Sequence, residues 1–141
     1  MGARHEVRAV TRRELDLRDA SAVRDFAAQL DAEWVINCAA VSGLEDCLDD
    51  PLSAHMVNAQ APELLAASCH RKGIAYLQVS TDYVLDGRHA GKKNEDTSCK
   101  PINSYGQSKL EGELRVSAVA PSAWIGRISW IFCEDVGSFP H

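Results

Sequence analysis

Two polar runs hold the side chains best suited to proton transfer: "STDYVLDG", Ser80 to Gly87, and "SYGQSK", Ser104 to Lys109. Tyr105 and Lys109 stand four residues apart, so on a helix both project from one face toward one small volume. A free tyrosine titrates near ~10, and a neighbouring ammonium favours the phenolate, so Tyr105 is expected to titrate lower than that. Such a phenol can give a proton to a carbonyl oxygen as hydride arrives at the carbon, or take one back. The hydroxyl of Thr81, where an apolar run ends, could hold the reacting oxygen in place. A Tyr-x-x-x-Lys pair alone is also what an exposed helix face carries. Its weight comes from the elements around it.

Those elements alternate. "HEVRAV" from His5 reads as a short strand with Val7 and Ala9 on one face, ending at Thr11-Arg12. The stretch from Asp16 to Glu33 carries Val23, Phe26, Ala27 and Leu30 at the spacing of an amphipathic helix. Trp34 to Val41 is a nearly continuous apolar run, as expected for a strand buried on both faces of a parallel sheet. After a loop around "SGLEDCLDDP", Pro51 to Arg71 reads as a long helix, kinked or restarted at Pro62 and capped by Gly73. A strand, Ile74 to Ser80, leads into the first polar run and a loop rich in Gly, Lys and Asn. A helix from Ser104 to about Val116 and a last strand in "AWIGRISWIF" complete the order. The pattern implies an α/β fold of βαβ units: a parallel sheet with helices packed on both faces. Ligands of such sheets gather beyond the carboxyl ends of the strands. Thr11-Arg12, Cys38-Ala39-Ala40 and Ser80-Thr81-Asp82 all fall there.

Composition narrows the remaining classes. With 141 residues the chain has room for one domain, since domains run to roughly 100–200 residues. A net charge of −5 with scattered Lys and Arg argues against a nucleic-acid surface. No apolar run approaches the roughly 20 residues of a membrane span, and the N-terminus lacks the apolar stretch of a secretory signal. Five cysteines without a Cys-x-x-Cys and five histidines without ligand spacing indicate neither a disulfide framework nor a metal site. A reducing cytoplasm is the simplest setting.

"TRRELDLRD", "VINCAA", "VNAQAPELLA", "VSTDYVLDG", "PINSYGQSKLEGE" and "RISWIF" occur in this order across nearly the whole chain. On these motifs the sequence resembles the extended short-chain dehydrogenase/reductases, and within them the dTDP-4-dehydrorhamnose reductase family. The resemblance implies a Rossmann-like NAD(P)-binding domain over residues 1–141. It also implies NADPH-dependent reduction of the 4-keto group of a dTDP-6-deoxy-hexulose, a nucleotide-sugar, to dTDP-L-rhamnose. Carried onto this sequence, the catalytic set is Thr81, Tyr105 and Lys109, with Tyr105 as general acid and Lys109 tuning it and bonding the nicotinamide ribose. Asp16 and Leu17, and Ala39 and Ala40, would contact the cofactor with Tyr105 and Lys109. Arg12 suits a 2′-phosphate, favouring NADPH over NADH, although a solvated arginine is nearly as good a reading. Tyr83 either lines the cleft or packs the loop. Asn58 reads as a helix-surface residue rather than one near the site, and Trp130 as core rather than ligand contact.

Family members open with a strand and a Gly-x-x-Gly-x-x-Gly turn that holds the pyrophosphate, whereas this sequence begins at what reads as the family's second strand. They also continue past "SWIF" into a region that grips the nucleotide-sugar. The expectation is an internal piece of a reductase lacking both, with strand edges left unpaired: a truncated gene, a fragment, or a chain completed by a homodimer or a partner. A different class, a non-catalytic regulatory or sugar-nucleotide-binding subunit similar to that of methionine adenosyltransferase, fits the missing turn but not the intact Thr81, Tyr105 and Lys109. Another nucleotide-sugar epimerase or reductase is a third reading.

Overall fold

A computed structural model describes residues 5–88 and 90–129. Three parallel strands, β1 (Trp34–Asn37), β2 (Ala75–Thr81) and β3 (Trp124–Ile128), lie in the order β1-β2-β3. Ile36 pairs with Leu77 across the first ladder and Val79 with Gly126 across the second. The parallel α/β class is thus the one expected, and the distribution of helices differs from expectation. Alternate residues Tyr76, Gln78 and Ser80 of β2 are buried. Trp34, Ile36, Trp124 and Ile128, on the opposite face, are exposed, so the described helices cover one face and not both. The reason is topological. Parallel crossovers are right-handed, and successive strands here are added in one direction, which lays each connecting helix on the same side. Helices on both faces require the strand order to reverse.

Helix α1 (Ala20–Ala28) starts where Asp19 accepts from the backbone N–H of Ser21 and Ala22 at 2.9 and 3.0 Å. It is shorter than its apolar pattern suggested, yet it buries Val23 and Ala27 as that pattern requires. These join Ala61, Leu65, Ala66, Cys69, Tyr76 and Val116 in the core. The segment expected as one long helix is three: α3 (Pro51–His55), a π-helical turn (Met56–Gln60) and α4 (Ala61–Lys72). Pro62 falls in the first turn of α4, where its missing N–H matters least, and the wider turn precedes it. Gly73 ends α4 at φ +71°, the left-handed cap its position predicted. Helix α5 (Ser104–Val119) is capped by Asn103, which accepts from Gly106 N at 2.7 Å.

Three further expectations are corrected. His5–Val10 forms no strand; every residue of it is exposed, and among the described residues no strand lies beside it to supply the ladder a strand requires. The segment after Gly43, expected as a loop, contains the short helix α2 (Leu44–Asp49), with Glu45 and Asp46 favourably placed in its first turn. The strand expected over Trp34 to Val41 ends at Asn37. The last three residues of "AWIGRISWIF", including Trp130, lie outside the described residues.

Helix α5 sits close to its neighbours because two of its positions lack a side chain. A Cβ on Gly106 would collide with the carbonyl oxygen of Tyr83, and one on Gly112 with that of Asn58 in the π-turn. Gly112→Ala is therefore expected to lower stability by about 1–3 kcal/mol in urea unfolding. Gly126→Ala, whose new methyl would meet only Leu77 Cδ1 at 3.6 Å, should leave stability unchanged or raise it by up to about 1 kcal/mol.

Candidate active site

Thr81 is the last residue of β2 and is 5% exposed. Its Oγ1 accepts from Tyr83 N at 3.2 Å, capping the 3₁₀ turn Asp82–Val84, and donates to Asp82 Oδ1 at 3.3 Å. That turn carries Tyr83 to Tyr105 in the first turn of α5, where the rings meet edge to face with centroids 5.8 Å apart. The closeness follows from Gly106, whose bare Cα admits the Tyr83 carbonyl. Tyr83 thus both packs and borders the site.

Lys109 lies one turn further on, 3% exposed, with Nζ donating to Val79 O at 2.7 Å. Burial pushes its pKa down to about 8, opposed by Glu113 and then Cys38. Tyr105 departs from the expected direction. Its pKa is raised, chiefly by burial, with the neighbouring Thr81 hydroxyl pulling the other way. Shared helical spacing does not aim the ammonium at the phenol here, because Lys109 reaches under β2 to a carbonyl. At neutral pH the phenol keeps its proton.

Other expected residues lie further off. Ala39 and Ala40 are exposed beyond β1, with Ala39 N donating to Asn37 Oδ1 at 3.2 Å. Asp16 is gripped by Arg18 through Nε at 3.0 and 3.1 Å, and this pairing holds its carboxyl well below the usual range. Leu17 packs against the core, and Arg12 is exposed. Among the described residues no hydrogen bond, ion pair or ring contact joins Arg12, Asp16 or Leu17 to Thr81, Tyr105 or Lys109. A cleft of about 190 Å³ lies along the Ser104, Gln107, Ser108 and Glu111 side of α5 rather than over Tyr105.

Residues that sequence alone misjudged support this edge. Asn58 is 1% exposed and far from a surface residue. It accepts from Val41 N and donates to Val41 O and Ser108 Oγ, each at 2.9 Å, binding the segment after β1 to α5. The signal was its apolar setting in "VNAQA". Gln78 accepts from Asn37 Nδ2 at 3.0 Å and from the Tyr76 hydroxyl at 2.8 Å, and donates to the same Val79 carbonyl that receives Lys109.

A parallel sheet with helices packed against it, and with a hydroxyl, a phenol and a buried lysine gathered at its carboxyl edge, is a Rossmann-like α/β domain. The profile of the RmlD substrate binding domain matches residues 1–141, and the chain belongs to that family. It is 38% identical over 135 residues to dTDP-4-dehydrorhamnose reductase of Mycolicibacterium smegmatis, covering 95% of this chain and 41% of the relative. It is 40% identical over 133 residues to a probable low-salt glycan biosynthesis reductase of Haloferax volcanii, covering 91% and 44%. The crystal structure of dTDP-4-dehydrorhamnose reductase from Bacillus anthracis in complex with NADP superposes with a TM-score of 0.83 at 26% identity, covering 91% of this chain and 46% of that one. The chain spans less than half the length of each.

The buried lysine has a measurable consequence. The unfolded chain holds its proton to about 10.5, whereas the fold releases it from about 8, so the unfolded state binds more protons between these values. Lys109 therefore makes stability rise with pH across that window, on the order of 3 kcal/mol in all. Urea unfolding of Lys109→Met should lack this rise; parallel pH profiles for variant and parent would show that the lysine is not held so.

Proposed function

We infer that the chain carries the proton-transfer half of a nucleotide-sugar ketoreductase site, reducing the 4-keto group of a dTDP-6-deoxy-hexulose with NADPH. The observation that supports this best is the placement of Thr81 and Tyr105 together at the carboxyl end of β2 with Lys109 buried one turn behind. The membership of the family and the reductase names of its relatives point to the same chemistry.

The residues present suit the nicotinamide end of such a cofactor. An ammonium has three donors, and Lys109 directs one to Val79 O, which leaves N–H groups for ribose hydroxyls. Ala39 and Ala40, exposed beyond β1, offer small side chains a cofactor could approach closely, and Arg12 offers a cation for a 2′-phosphate. NADPH, when bound, supplies the hydride. Tyr105, protonated at neutral pH, gives its hydroxyl proton to the carbonyl oxygen as negative charge develops there. Thr81 holds that oxygen, its own hydroxyl oriented by the Tyr83 amide. The Tyr83 ring against Tyr105 shields one side of the phenol from water.

Tyr105→Phe is expected to lower NADPH-dependent turnover of the 4-keto sugar-nucleotide by ~10²–10⁴-fold with little change in NADPH binding. Comparable turnover by variant and parent would remove Tyr105 as the donor. In titration calorimetry Lys109→Met should bind NADPH roughly 10–100-fold more weakly than the parent chain, the loss of a charged hydrogen bond.

A further inference from the structure

One helical turn beyond Lys109, a carboxylate is buried that no step of the proposed reaction uses. Glu113 is 5% exposed. Its Oε1 accepts from Ser80 Oγ at 2.6 Å and from Arg127 Nε at 3.0 Å, and its Oε2 from Arg127 Nη2 at 2.7 Å and Nε at 3.2 Å. Ser80 and Arg127 are register partners on β2 and β3, so the carboxylate is fixed from two strands at once.

Lys109 and Glu113 share one face of α5 four residues apart, both almost wholly buried, where charges are weakly screened by water. Among the described residues, the ionisable groups that act on Lys109 are Glu113 on its own helix and Cys38 beyond β1, with Arg127 of β3 behind Glu113; Tyr105, one turn before it on α5, is not among them. Of these, Glu113 has the largest opposing effect on the burial of the lysine charge. Arg127 in turn neutralises part of the field that Glu113 exerts.

We propose that Glu113, clamped by Ser80 and Arg127, is a positioning residue that keeps Lys109 charged in its buried setting and so sets the alkaline limit of the site. The functional half of this statement rests on the reductase reading; the electrostatic half does not.

The two partners give opposite signs, which a purely structural pair would not. In the full chain, NMR titration of the Lys109 side chain, assigned by comparison with Lys109→Met, reads its ionisation directly. Glu113→Gln should lower its midpoint by roughly one to two pH units. Arg127→Gln should raise it, and this change falls on a side chain already 28% exposed, where folding is least at risk. The alkaline limb of NADPH binding should move with the midpoint in each variant. A midpoint unmoved by Glu113→Gln, or one that falls in Arg127→Gln, overturns the proposal. Failure of every variant and the parent to bind NADPH would count against the reductase reading, while the midpoints still decide the coupling.

Discussion

The buried hydrogen bond from Lys109 to the Val79 carbonyl is the contact on which the site's geometry turns. An ammonium removed from water is tolerated only with a partner, and here the partner is a backbone oxygen inside β2. That choice fixes the height of α5 against the strand. Tyr105, one turn earlier, is then held beside Thr81 at the strand's end. The approach is close enough to forbid side chains where α5 crosses backbone carbonyls, at Gly106 and Gly112. Asn58 secures the same helix from the other side through Ser108.

The one-way order of the strands accounts for much of what surrounds that contact. Because each crossover adds its strand on the same side, α4 and α5 both pack on the face that carries Tyr76, Gln78 and Ser80. The other face carries Trp34, Trp124, Ile36 and Ile128, with the two indoles edge to face at 6.1 Å. The uncovered face is therefore the more apolar one, while the helix-covered face carries Asn37, Gln78 and Ser80. Thr81 and Tyr105 depend on neither face alone. They stand at the carboxyl edge, where position depends on strand ends and helix starts.

This explains which features were legible in sequence. Thr81 ends an apolar run, Ser104 opens a helical pattern, and Tyr105 and Lys109 are separated by one turn; each is a local signal, and each puts its residue at the observed place. The α1 stripe of Val23 and Ala27 and the cap at Gly73 are local in the same sense. What local signals could not supply was direction and environment. Lys109 turns toward Val79, thirty positions away in sequence, and the raised Tyr105 depends on burial that only the fold creates. Asn58 looked like surface because a lone asparagine does not announce the backbone groups it will satisfy. His5–Val10 has strand-like alternation, but a ladder needs a neighbour, which a pattern within one segment cannot guarantee.

The buried polar side chains of β2 have a role that apolar ones could not fill. Among the described residues no buried side-chain nitrogen or oxygen lacks a partner. Gln78 lies opposite Asn37 and bonds it, while Ser80 lies opposite Arg127 and shares Glu113 with it. An apolar ladder would tolerate a shifted pairing at modest cost. A one-residue slip of β2 would turn Gln78 and Ser80 to the other face and orphan Asn37, Glu113 and Arg127 together. It would also carry the Val79 carbonyl away from Lys109. The polar ladder thus specifies the register that delivers Thr81 to Tyr105, and the same residues that cost desolvation in the core fix where these two side chains come together.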